Sequence, residues 1–97
     1  GEVIALIKPQ FEAGKERVGK NGVVRDPAVH EDVIRTVLTV AEEQGFFPVG
    51  LTFSPVKGPK GNIEYLLYLK VQGEGQEPFD AASVHEIVTE AHRTLDG

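Results

Sequence analysis

Lys8 and Glu64 are the two residues of this 97-residue chain whose types and surroundings suit proton-transfer chemistry. Lys8 follows an unbroken apolar run, Val3, Ile4, Ala5, Leu6 and Ile7, and precedes Pro9, which has no amide proton to give to a ladder. The run has the pattern of a strand buried on both faces. An apolar strand that delivers one ammonium group at its carboxyl end suits an α/β active site, because chemistry in open parallel sheets collects there. Glu64 stands near the start of a second apolar stretch, residues 62–71. If that stretch lies beside the first strand and runs antiparallel to it, a carboxylate and an ammonium 56 positions apart in sequence become neighbours. Such a pair holds a lysine in place and adjusts its proton affinity for acid–base work. A strand-end salt bridge worth about 0–1 kcal/mol also fits the spacing, as does a lysine that merely marks where the strand meets water.

The elements that must position these two groups are legible in outline. Residues 13–25 are basic and punctuated by Gly14, Gly19 and Gly22, with neither a helical nor a strand period. A loop of that length in a compact domain is usually functional or mobile. Asp26-Pro27 reads as an N-cap followed by proline at the first helical position. Val29, Val33, Val37, Val40 and Ala41 then recur at helical spacing, widened by Ile34 and Leu38, and Gly45 supplies a stop. A helix is predicted over residues 27–44. Residues 46–53 form a second strand, placed at an edge because Pro48 and Gly50 interrupt it. Residues 54–61 are a turn-rich loop, and residues 62–71 a third, central strand antiparallel to the second. After a polar linker over 73–78, Asp80 caps a last helix with Val84, Ile87, Val88, Ala91 and Leu95 on one face, closed by Gly97.

The order β-α-β-β-α allows two architectures. One is a free-standing α+β sandwich of the ferredoxin-like kind without its last strand. The other is the C-terminal half of a doubly wound α/β sheet whose last strand runs antiparallel.

Length limits the chain to one domain at most. There is no cysteine, which excludes disulfides and thiolate metal sites. His30, His85 and His92 lack the spacing of a zinc motif, so no metal is expected. No apolar stretch approaches the ~20 residues of a membrane span, and no signal peptide precedes the first strand. The chain holds no methionine and enters a buried-type strand almost at once, which suggests a piece of a longer protein. Its net charge of −5 argues against a general nucleic-acid binder. The distribution says more. Lys8, Lys15, Arg17, Lys20 and Arg25 face only Glu12 and Glu16 in one stretch, and Lys57 and Lys60 lie in another loop. If both loops fall at one end of the sheet, that end carries a basic patch; loops simply rich in lysine are the competing explanation.

Three motif blocks bear a resemblance. Leu6-Ile7-Lys8-Pro9-Gln10-Phe11-Glu12, then Gly19 and Gly22-Val23-Val24-Arg25-Asp26-Pro27, then Ser54-Pro55, Gly58-Pro59 and Gly61-Asn62-Ile63-Glu64 resemble the TlyA family. Its members, named as hemolysins, are similar to FtsJ-type, S-adenosylmethionine-dependent ribosomal RNA 2′-O-methyltransferases. The resemblance runs from about Ile4 to Leu69; the last helix matches only in general pattern. It implies that the chain, residues 1–97, is the C-terminal half of a Rossmann-like methyltransferase domain. The first strand is then the fifth of that sheet, and the third strand is inserted antiparallel between the other two.

In the family a Lys-Asp-Lys-Glu tetrad surrounds the ribose hydroxyl that receives the methyl group. Lys8 matches the second lysine and Glu64 the glutamate. Lys8 is thereby implied to orient and help deprotonate the 2′-hydroxyl, with Glu64 positioning it. Lys15, Arg17, Lys20, Arg25, Lys57 and Lys60 would approach the RNA backbone. The first lysine, the aspartate and the glycine-rich turn that cradles the cofactor have no counterpart in this sequence. S-adenosylmethionine is therefore expected in a full-length parent and not on this chain, and the chain alone is expected to be inactive.

Cutting a sheet at its fifth strand leaves that strand's other edge open, so self-association through residues 3–7, as a two-fold dimer, is expected. A parent acting on ribosomal RNA would work in the cytoplasm. The alternative is a self-contained βαββα module that binds RNA or protein. Against RNA binding of that kind, no strand carries exposed aromatic pairs for stacking, and Tyr65 and Tyr68, three apart, point to opposite faces. Membrane lysis fits least, because neither helix is basic and amphipathic.

Overall fold

The computed structural model describes residues 2–71 and 79–96. Its sheet has the order β1-β3-β2, where β1 is Glu2–Ile7, β2 is Phe46–Phe53 and β3 is Tyr65–Val71. β3 is antiparallel to both neighbours, so β1 and β2 run the same way on either side of it. The β1–β3 register pairs Ile7 with Tyr65, Ala5 with Leu67 and Val3 with Leu69. Alternation then puts Tyr65, Leu67 and Leu69 on one face, all buried, and Leu66, Tyr68 and Lys70 on the other, half-buried or exposed.

Two helices cover the buried face. α1 is a single turn, Pro9–Glu12; α2 spans Pro27–Glu43 and α3 spans Ala82–Leu95. α2 starts where the Asp26 carboxylate accepts a hydrogen bond from the Ala28 amide at 2.9 Å, with Pro27 in the first turn. It ends at Gly45, whose φ of +88° only glycine adopts without strain. Its Val33, Ile34, Leu38 and Ala41 meet Val84, Val88 and Ala91 of α3 over β3. The N-cap of α3 is Ala81, one residue later than the expected Asp80, whose carboxylate still accepts from the Ala82 amide at 3.0 Å.

The edge assignment of β2 rests on a visible defect. Its register with β3 shifts between Pro48 and Gly50, a bulge that accommodates the two residues a central strand would not tolerate. Three expectations change. Glu2–Ile7 is not buried on both faces: Val3, Ile4 and Leu6 are 42%, 61% and 48% exposed, and only Ile7 is fully enclosed, because among the described residues nothing pairs with the outer edge of β1 or covers its second face. The long basic loop is partly ordered by two short 3₁₀ turns, Lys15–Arg17 and Lys20–Gly22. β3 starts at Tyr65 and not at position 62, because the side chains before it serve the loops. The expected linker over 73–78 and the Gly97 stop lie outside the described residues.

One polar pair lies inside the core. His30 of α2 is fully buried; its Nε2 lies 2.8 Å from the Val24 carbonyl and its Nδ1 2.8 Å from the Tyr65 hydroxyl. A carbonyl only accepts, so Nε2 carries the proton and Nδ1 accepts from the tyrosine. That assignment satisfies both ring nitrogens with a neutral imidazole. Burial holds the His30 pKa below its ordinary value of 6.5, opposed by the Val24 carbonyl and helped by His92, whose ring centroid is 4.7 Å away. Burial likewise raises the Tyr65 hydroxyl.

Because the folded state disfavours protonated His30 and the unfolded chain does not, this contribution to stability is complete above about pH 6.5 and is lost as pH falls toward the folded pKa. Urea denaturation midpoints should therefore drop below that pH, and less steeply in His30→Gln. Tyr65→Phe leaves Nδ1 without a donor and should cost about 1–3 kcal/mol at neutral pH, read from the same curves.

Candidate functional site

The Ile7–Tyr65 register brings the carboxyl end of β1 against the amino end of β3, so Lys8 and Glu64 follow as neighbours in adjoining chain segments. The backbone at Lys8 is fixed from both directions. Its carbonyl accepts from the Phe11 and Glu12 amides at 2.9 and 3.2 Å, and its own amide donates to the Glu12 carboxylate at 3.0 Å. Pro9 opens α1 and is itself buried. This single turn is what aims the side chains that follow the strand.

The side chains are arranged differently from the expected ion pair. Among the described residues no salt bridge joins Lys8 to Glu64. The Lys8 ammonium lies 5.7 Å from the centre of the Phe11 ring, a cation–π distance. Glu64, only 8% exposed, instead accepts a 2.8 Å hydrogen bond from the Gln10 side-chain amide. The physical reason is the turn: α1 carries Gln10 inward over β3 and leaves Lys8 at the rim. The other amide atom, Gln10 Oε1, is enclosed without a hydrogen-bond partner. A buried acceptor with no donor is uncommon and marks a place where a donor is missing.

Gly58 presses on the same carboxylate. A Cβ built there would lie 2.3 Å from Glu64 Oε2, so the loop approaches Glu64 as closely as only a glycine backbone allows.

The two basic loops do meet, and Asn62 joins them. Its Oδ1 accepts from the Val24 amide at 3.0 Å, and its Nδ2 donates to the Gly22 and Pro59 carbonyls, each at 3.0 Å. The side chain is nearly inaccessible; its bonds to Val24 and Gly22 reach the distant loop, while that to Pro59 closes its own. Lys60 takes a left-handed backbone, φ +61°, and its ammonium end comes beside Gly22. Between the loops lies a cleft of about 220 Å³, with Gln10, Phe11, Val18 and Gly22 on one side and Pro59, Lys60 and Asn62 on the other. A second cleft of about 460 Å³ continues past Phe11 and Val18 to Gly14 and Lys15.

The six loop cations divide. Arg17 pairs with Asp32 on α2, and Lys57 with Asp96 at the end of α3, each at 2.5 Å. Lys15, Lys20, Arg25 and Lys60 are exposed and have no carboxylate partner among the described residues. Lys15 and Lys60 border the clefts beside Phe11. No cluster of three or more possible metal ligands occurs among the described residues.

A profile of the FtsJ-like methyltransferases matches residues 2–71, most of the chain. The chain belongs to this family. It is 49% identical over 96 residues to the Bacillus subtilis protein named "Putative rRNA methyltransferase YqxC", covering 97% of this chain and 34% of that one. It is 45% identical over 71 residues to the Mycobacterium tuberculosis 16S/23S rRNA (cytidine-2′-O)-methyltransferase TlyA, covering 73% of this chain and 26% of that one. A solved structure described as a "Putative hemolysin from Streptococcus thermophilus" superposes with a TM-score of 0.90 at 44% identity, over 99% of this chain and 34% of that one. The chain thus spans about a third or less of the length of these relatives. The resemblance read from the Lys8 and Glu64 motifs is the family that these matches show.

Gln10, Gly58, Asn62 and Phe11 were not singled out by spacing, although all four lie inside the motif blocks. Their roles depend on the α1 turn and on the meeting of two loops, which no linear pattern announces. Gly58→Ala tests the close approach. The nearly buried carboxylate of Glu64 must move off Gln10, so stability should fall by about 1–3 kcal/mol. The Gln10–Glu64 hydrogen bond should be lost, as a crystal structure of the variant would show.

Proposed function

We propose that this chain forms the catalytic rim of an S-adenosylmethionine-dependent ribosomal RNA ribose 2′-O-methyltransferase. The observation that carries this reading is the β1–β3 register, which pairs Ile7 with Tyr65 and so brings together the segments that bear Lys8 and Glu64, in a chain of the FtsJ-like family. The printed activity of TlyA, transfer to the 2′-oxygen of cytidine in rRNA, supplies the substrate class. Lys8 would orient the ribose 2′-hydroxyl and take part in removing its proton as the oxygen attacks. Glu64, fixed by Gln10 and pressed by Gly58, would hold that ammonium in place. To do so the lysine must leave the Phe11 ring and turn toward the carboxylate, where Gln10 Oε1 offers an acceptor still lacking a donor.

S-adenosylmethionine would supply the methyl group. The residues of this chain do not fit it: the turn that leaves β1 opens on Pro9 and not on glycines, and it starts one helical turn of four residues. The cofactor would therefore be held by a preceding part of the enzyme, this chain being the C-terminal half of a Rossmann-like methyltransferase sheet. The share of each relative that the chain covers supports this. Arg25, Lys15, Lys20 and Lys60 would meet RNA phosphates directly, and Arg17 and Lys57 only after leaving their carboxylate partners. The reading places the enzyme in the cytoplasm, with its ribosomal substrate. As for the lytic activity suggested by the name hemolysin, no helix among the described residues is long and apolar enough to cross a membrane.

The outer edge of β1 bears on assembly. Ile4 and Leu6 stand exposed on one face of β1, Tyr68 extends that apolar face from β3, Val3 is exposed on the other face, and no described strand pairs with the outer edge. Alone, the chain should pair with a second copy through this edge as a two-fold dimer.

Two measurements test these readings. In the full-length enzyme, Lys8→Ala should lower methyl transfer to rRNA by at least about a hundredfold while cofactor affinity stays within twofold; retained activity would reassign Lys8 to structure. For the 97-residue chain, sedimentation equilibrium should show a dimer that Ile4→Lys disperses. A monomer at high concentration would dispose of edge pairing.

A further inference from the structure

Phe11 is 73% exposed, the most exposed aromatic ring among the described residues. Burying such a ring is worth about 1.5–3 kcal/mol, and this chain leaves it in water on a stiff support. The α1 turn is anchored by buried Pro9 and by the Ala13 amide bonded to the Pro9 carbonyl at 2.9 Å. The ring forms a wall of both clefts and sits 5.7 Å from the Lys8 ammonium. Lys15 and Lys60, both exposed and without carboxylate partners among the described residues, flank it.

An aromatic face among cations suits an unpaired nucleotide of RNA: a base has a π-face to lay on the ring, and its phosphates meet the ammonium groups. We propose that Phe11 is the stacking platform for a base of the substrate strand, one that holds the neighbouring ribose within a nucleotide's reach of Lys8. This rests on the ribose-methylation reading and adds to it a group that grips the RNA. The charge of the rim selects RNA over an apolar peptide, because an apolar segment would bring nothing to neutralise Lys15 and Lys60. The site lies off the strands: its ring comes from α1 and its cations from two loops. Asn62 is what brings those loops together.

The test is a titration of the 97-residue chain with a short single-stranded RNA of cytidine and uridine, followed by fluorescence anisotropy and by the NMR signals of the Phe11 ring. Stacking should shift the ring signals. Phe11→Leu should weaken binding about tenfold or more, and Phe11→Trp should retain it. A fully paired RNA duplex, whose bases are already stacked, should bind both variants alike. Absence of RNA binding by the unaltered chain overturns the proposal. So does equal affinity of Phe11→Leu, which would mean that the basic loops hold RNA alone. The methylation reading is decided separately by Lys8→Ala: if that variant loses methyl transfer while Phe11→Leu binds normally, stacking fails and the reading stands. If methyl transfer survives Lys8→Ala while binding depends on Phe11, the RNA platform stands and the catalytic reading fails.

Discussion

Every feature of the rim depends on how β1 lies against β3. Strand side chains alternate, so a slip of one position in that pairing would turn Ile7 out of the core and carry Lys8 to the wrong side of the sheet. The register is fixed by burial: Ile7, Tyr65 and Leu67 are almost wholly enclosed, and only one alignment keeps them so. The hydrophobic effect thus sets where a charged group appears. α1 then converts strand direction into side-chain direction, turning Gln10 inward and leaving Lys8 and Phe11 outward.

Two polar ties keep the surrounding loops from drifting. Asn62 holds both basic loops through backbone groups, so their relative position does not depend on their own varied side chains. His30 connects α2 to β3 through Tyr65 and to the end of the first loop through Val24. Both residues are buried amid apolar neighbours, where an unmade hydrogen bond is costly. They therefore specify a particular arrangement as well as adding to stability. The surface pairs Arg17–Asp32 and Lys57–Asp96 contribute far less to that precision, being solvent-accessible and worth about 0–1 kcal/mol each.

The long elements were readable because each carries a strong local signal. The Asp26-Pro27 cap, the valine stripe of α2 and the Pro48–Gly50 irregularity act over a few residues, and each appears where its chemistry requires. That the carboxyl end of β1 meets the amino end of β3 was readable from strand order, and the family followed from the motifs around them. The side-chain geometry was not. Whether Glu64 meets Lys8 or Gln10 is decided by one turn of helix, and the capture of the two loops by Asn62 is a matter of two bonds to distant residues and one to a near neighbour. The sheet order itself fits both architectures that the sequence allows, and family membership, not topology, favours the methyltransferase one.

The placement of β3 between its neighbours also orders events in time. β2 and β3 are joined by a short loop, and closing it costs little chain entropy. β1 must find β3 across most of the described chain, a contact that is reached slowly and can be given up without dismantling the hairpin or the helices packed on it. Lys8 therefore follows the strand that docks late and leaves early. The geometry of the rim and the foldedness of the chain are then separate properties: the hairpin and its helices can persist while the outermost strand comes and goes.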